Sequence, residues 1–145
     1  MRGAAAFLAN ALASVSSKKA MVRPIMLVAE VEPPEGLSAR KLVLETGKFN
    51  VITAYSVEET FETLGVFPRV DAVVVHSSLC REMECDQVVA EIKRRHPNKV
   101  VITLSPTSSQ NYKLADHQIS SHEPQELLNL LRSRFGDPRS PEEKP

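Results

Sequence analysis

The chain has no excess of either charge: 18 lysines and arginines are balanced by 18 aspartates and glutamates over 145 residues. That removes any global electrostatic argument for nucleic acid, which a basic surplus would announce. No apolar run approaches the roughly 20 residues that cross a bilayer, so a membrane partner is not expected either. The chain has only two cysteines, Cys80 and Cys85. With no second Cys or His pair at a suitable spacing, they cannot complete the four-ligand set of a zinc site. They read as two free thiols, and a reduced, cytoplasmic protein follows from that reading. Five scattered glycines leave no Gly-rich loop to cradle the phosphate of a nucleotide or flavin. No internal repeat is present.

What the chain does have is ordinary globular composition, 42% hydrophobic and 25% charged, with room for one domain around one core. Three segments are expected: a flexible or loosely helical N-terminal extension over 1–22, a folded domain over 23–136, and a disordered polar tail over 137–145. The extension holds no acidic residue before Met21, which could be an alternative start. Its Ala4 to Ala13 stretch formally matches the apolar centre of a signal peptide, but no disulfide framework supports secretion. As a helix it would present Phe7, Leu8 and Leu12 to the domain or to a second copy.

The apolar runs set the element order. Ile25 to Ala29 is unbroken and ends at Glu30, Glu32 and the Pro33-Pro34 break, so it reads as a strand buried on both faces. Ser38 to Thr46 fits a helix stopped by Gly47. Asn50 to Ala54 is a second strand, and S-V-E-E at Ser56 to Glu59 is a capping box opening a helix through Phe61 and Leu64. D-A-V-V-V-H-S-S-L, Asp71 to Leu79, is a third strand whose apolar run stops at His76. Cys85, Val88, Val89 and Ile92 then share one face of a helix ending at Lys93-Arg94-Arg95, a basic terminus that complements the helix dipole. Val100 to Leu104 is a fourth strand and His117 to Ser120 a short fifth. Pro124 opens a last helix with a Leu127, Leu128, Leu131, Phe135 stripe, closed by Gly136. Five strands alternating with helices predict a three-layer, doubly wound α/β domain with a parallel sheet. Chemistry in such sheets gathers at the carboxyl ends of the central strands, which is where His76 falls.

The phrases I-M-L-V-A-E-V-E-P, D-A-V-V-V-H and P-Q-E-L-L-N-L-L-R, in this order of elements, resemble the receiver domain of two-component response regulators over Pro24 to Gly136. The resemblance implies a flavodoxin-like, CheY-like five-stranded sheet of order 2-1-3-4-5. Receivers accept a phosphoryl group on an aspartate ending the third strand, beside an acidic pair that holds magnesium. Here the phosphoacceptor position resembles His76, and Ala29 and Glu30 stand where the acidic pair would be, with Glu32 displaced. The hydroxyl position resembles Ser105, and the lysine position falls near Ser121. Between Ser105 and Ile119 there is space for little more than one turn, so the family's fourth helix is expected to be short or missing.

These departures imply a degenerate receiver. Glu30 and Glu32 are the only candidates for a divalent ion, and carboxylates beside a Pro-Pro turn read as solvated loop residues, so neither magnesium nor another cofactor is expected. A nucleophilic site joining His76 to Ser77, Ser78 or Ser105 would need an orienting acid and an oxyanion hole that the spacing does not supply. The expectation is therefore a non-enzymatic, receiver-like signalling module that binds a protein partner or a second copy of itself without phosphorylation. The competing reading is a phosphorelay receiver using an unconventional site around His76, Glu30 and Ser105.

Overall fold

The computed structural model describes residues 23–80, 84–106 and 113–143, so the extension over 1–22 lies outside the described residues. Within them, β1 (Ile25–Ala29), β2 (Asn50–Ala54), β3 (Ala72–His76), β4 (Val100–Ser105) and β5 (His117–Ser120) form one sheet in the order β2-β1-β3-β4-β5. Every neighbouring pair is parallel. Helices α1 (Ala39–Thr46), α2 (Val57–Val66), α3 (Cys85–Arg95) and α4 (Pro124–Phe135) alternate with the strands. This is the expected doubly wound flavodoxin-like arrangement.

The strands are central because they are apolar on both faces. Met26 to Ala29 and Ala72 to Val75 are all fully buried. Alternation along β1 and β3 sends Leu27, Ala29, Val73 and Val75 to one side, against Leu64 of α2 and Val88, Val89 and Ile92 of α3. Met26, Val28, Ala72 and Val74 go to the other, against Leu44 of α1 and Leu127, Leu128 and Leu131 of α4. Three of the four helix starts have a local cause. The Ser38 Oγ accepts from the Lys41 N–H and the Ser56 Oγ from the Glu59 N–H, while Pro124 occupies the first turn of α4.

Gly47 does end α1, for a reason periodicity does not carry. Its own φ is −75°, and the left-handed residue of the turn is Lys48, at φ 70°. What Gly47 permits is close approach, since a Cβ there would stand 2.5 Å from Leu128 Cδ1 on α4.

Side chains clip the amino ends of the strands together. Asp71 Oδ2 accepts from the Ile25 N–H at 2.8 Å, and Lys99 Nζ donates to the carbonyls of Pro68 and Val70 at 2.7 and 2.6 Å. Asp116 Oδ2 accepts from both the Val101 N–H at 2.8 Å and Lys93 Nζ at 2.9 Å. The basic end of α3 is similarly occupied: Glu91 pairs with Arg94 and Arg95, and the Arg95 guanidinium lies 4.4 Å from the centre of the Phe61 ring.

Of the β4–β5 connection the structure describes Pro106 and 113–116, a bend, a turn at Lys113 and Leu114 and a bend at Asp116, with no helix among them; residues 107–112, on which the expected shortening of the fourth helix falls, lie outside the described residues. The sheet face beside this connection is polar. Ile102, Leu104 and Ile119 serve the α1/α4 side, so the alternate positions Thr103 and Ser105 of β4, in register with Gln118 and Ser120 of β5, point the other way. Past α4, the Asp137 carboxylate pairs with Arg139 at 2.7 Å. A short 3-10 turn, Pro141–Glu143, follows.

Candidate functional site

The crevice at the carboxyl end of the sheet is built from the last residues of β1, β3 and β4 and from the start of α1. Glu30, immediately after β1, is wholly buried, with its backbone N–H donating to the Ala54 carbonyl at 3.0 Å. Arg40, in the first turn of α1, donates from Nε to Glu30 Oε1 in a short ion pair. Glu30 Oε2 is buried with no hydrogen-bond partner among the described residues. A buried carboxylate is costly unless paired, and the guanidinium supplies the opposite charge from inside the fold.

His76 ends β3 and caps the 3-10 turn Ser77–Leu79. Its Nδ1 accepts from the Ser78 N–H at 3.1 Å and lies 2.8 Å from Ser78 Oγ. The Ser78 hydroxyl in turn accepts from the Val31 N–H at 3.3 Å. These contacts place the lone pair on Nδ1 and the proton on Nε2. Burial, then the Arg40 charge, lower the His76 pKa below its ordinary value, while Glu30 opposes them. The imidazole is thus held neutral near neutral pH. The His76–Ser78 contact has the length of a base–nucleophile pair, but Nδ1 is shared with a backbone N–H, and no carboxylate among the described residues hydrogen-bonds the ring. It closes a turn and lacks the remaining groups of a triad.

Two further positions marked from the sequence meet on the other side of the crevice. Ser105 is buried, and its carbonyl accepts from the Ser121 N–H at 2.9 Å. Ser120, Ser121 and Arg40 line one cavity of about 60 Å³. Arg40 therefore lies between the Glu30–His76 side and the serine side. Glu32 is not drawn in: it is exposed on the β1–α1 loop. The residue that sequence reasoning missed is Arg40 itself. A signal existed, since a cation in the first turn of a helix opposes the macrodipole and calls for a local reason.

The residues present do not fit a magnesium ion. Magnesium needs oxygen ligands in near-octahedral geometry; Ala29 offers none, one Glu30 oxygen is held by Arg40, and His76 Nδ1 is committed to Ser78. Among the described residues no group of three or more His, Cys, Asp or Glu side chains could hold a metal ion.

Beside this crevice one expectation is corrected. Cys80 and Cys85 are not free thiols; a disulfide joins them, with Cα atoms 5.1 Å apart. The turn Ser77–Leu79 folds the chain back so that Cys80 reaches the first residue of α3, a proximity invisible in the spacing alone. No described helix is long and apolar enough to cross a membrane.

No protein-family model matches the chain, and no curated protein matches it in sequence. Solved structures do match in fold. A signal receiver domain of an HD domain-containing protein from Pseudomonas fluorescens superimposes with a TM-score of 0.66 at 21% identity, over 77% of this chain and 94% of that one. A CheY-like response regulator receiver domain protein from Methanospirillum hungatei gives 0.64 at 16% identity, over 78% and 94%. A response regulator from Thermotoga maritima, in complex with Mg2+–BeF, gives 0.62 at 20% identity, over 77% and 98%. The chain has the receiver-domain fold. On that receiver fold, the end of the third strand carries His76, and the first helix sends an arginine into the crevice.

Proposed function

We propose that the chain is a receiver-like signalling module that works by binding a protein partner, independently of phosphorylation and without enzymatic activity. The observation that carries this reading is the ion pair of Arg40 with the buried Glu30. One of the matched receivers is named as a complex with Mg2+–BeF; in this chain the only carboxylate in register is neutralised by a guanidinium, and a neutral imidazole stands at the end of β3. A site of this kind has neither an acid to form an acyl phosphate nor a ligand set to hold the metal beside it. Function then rests on the surfaces of the domain, with a signalling protein or a second copy as partner; the expected cytoplasmic compartment loses the free-thiol argument it was drawn from, since Cys80 and Cys85 are joined.

The test is exposure of the full chain to acetyl phosphate or phosphoramidate with magnesium, read by intact mass. An unchanged mass is expected. An adduct of about 80 daltons, one phosphoryl group, would establish the phosphorelay reading instead, with His76, Glu30 and Ser105 as its site. Affinity capture with the full chain and with a version beginning at Met21, alongside sedimentation, identifies the partner and separates it from self-association.

A further inference from the structure

We propose that Cys80 and Cys85 form a reversible redox site, exchanging with small thiols and disulfides of the glutathione class, and that its state is transmitted to the His76 turn. Three placements support this. First, the disulfide spans a sequence separation of only 5. It joins no distant elements: Cys85 belongs to the buried cluster on the α2/α3 face and Cys80 packs against it, but the other members of both clusters come from the sheet, its flanking helices and the adjoining loops, so the bond itself closes only a local loop. Second, the two sulfurs differ in environment. Cys80 is half-buried, whereas Cys85 is 7% exposed and is the first residue of α3, where the helix N-terminus stabilises a thiolate. Third, the Cys80 N–H donates to the Ser77 carbonyl at 3.2 Å, in the turn that His76 caps. Opening the disulfide frees the end of that turn directly.

The chemistry follows from the asymmetry. A glutathione thiolate attacks the sulfur of Cys80, the more exposed residue of the two; the S–S bond breaks and its electron pair leaves with Cys85, as a thiolate at the start of α3. A second glutathione thiolate attacks the glutathione sulfur of the mixed disulfide and displaces the Cys80 thiolate. Both protein thiolates take up the protons that the two glutathione thiols released. Two glutathione molecules thus become one glutathione disulfide, and the protein disulfide becomes two thiols. Oxidation is the reverse, with glutathione disulfide as oxidant. The site itself does not depend on the partner-binding reading; only its use as the module's input rests on that reading, and the thiol measurements below are independent of any partner assay.

The experiment equilibrates the full chain in mixtures of reduced and oxidised glutathione, traps free thiols by alkylation and counts them by intact mass. Passage from almost fully oxidised to almost fully reduced is expected over about a hundredfold change in the ratio of squared glutathione to glutathione disulfide, as mass action requires for a two-electron exchange. A pair that stays oxidised at millimolar glutathione without disulfide, or that never oxidises, overturns the proposal. In Cys85→Ser, glutathione is expected to be retained on Cys80, several-fold more than on Cys85 in Cys80→Ser; equal retention refutes the assigned direction of attack. The imidazole resonances of His76, recorded on the wild-type chain in both states, are expected to shift. Identical resonances in the two states disprove transmission to the turn.

Discussion

On the β1–β3 side of the sheet, every strand residue from Met26 to Ala29 and from Ala72 to Val75 is fully buried, with helices packed on both faces. On the β4–β5 side, β5 buries only Ile119, and the face turned away from α1 and α4 carries Thr103, Ser105, Gln118 and Ser120 beyond the buried Val101. Apolar burial holds the first region. The second relies more on polar clips, above all the Asp116 carboxylate shared between the Val101 N–H and Lys93. Thr103 and Ser105 are nonetheless buried, which a sheet tolerates where the hydroxyl finds an acceptor, as Thr103 Oγ1 does in the His117 carbonyl at 3.5 Å. The candidate crevice lies where the two regions meet, and its charges are paired within the protein.

The sharpest way to break the contrast is Leu27→Ala. Emptying a fully buried site on β1 costs about 3 kcal/mol in urea unfolding, whereas Ile119→Ala on β5 is expected to cost about 1 kcal/mol less, because the edge can relax. Equal losses would mean that both sides are packed alike. Next in size is Arg40→Ala, which leaves the Glu30 charge buried without its partner. A loss of about 2–3 kcal/mol is expected, discounted because Arg40 is 24% exposed. Glu30→Gln in the same background should recover most of it, and failure to recover would show that Arg40 contributes packing and not charge.

Asp116→Ala removes one acceptor from two donors, with an expected cost of about 1–2 kcal/mol. Its effect should be local: amide hydrogen exchange in β5 accelerates while β1 and β3 remain protected. Uniform acceleration would sink the idea of a separately clipped edge. The smallest effect is on pH dependence, and the two regions have separate windows. The His76 pKa is lowered in the fold, through burial first and then Arg40. Protons therefore favour the unfolded chain, and stability declines as pH falls below the ordinary value of 6.5 until the folded value is passed. His96 is lowered too, by burial and the neighbouring Lys99 and Arg95 charges, so His76→Gln should reduce the slope without abolishing it. For Asp116, burial pushes upward but the Val101 N–H and Lys93 outweigh it, leaving the pKa below 3.8. Its contribution is present above that value and lost only as pH falls through the folded one. Chemical denaturation from pH 7.5 to 3 separates the windows; a His76→Gln slope equal to wild type would remove His76 from this account.

Much of the architecture was legible because burial leaves a local trace. The run at Ile25 to Ala29, the Ser56 cap and the stripe at Leu127, Leu128 and Leu131 each announce an element within a few residues, and the element order leads to the sheet. Strand β4 runs one residue past the expected Leu104, to Ser105, which is the usual uncertainty of a strand end. The crevice was legible in part. His76, Glu30, Ser105 and Ser121 could be placed at the carboxyl ends of the strands, but Glu32 is turned outward and Arg40 was not anticipated.

By itself, then, the sequence determined which stretches are strands and helices, which faces are apolar, and that no acidic residue ends β3. Only the tertiary structure decided that Arg40 meets Glu30, that Cys80 meets Cys85 and that Asp116 closes the β5 edge. The physical reason is one of range. Burial depends on a periodic pattern that each segment carries alone, whereas an ion pair, a disulfide or a shared carboxylate exists only once loops and turns have brought separate segments within a few ångströms.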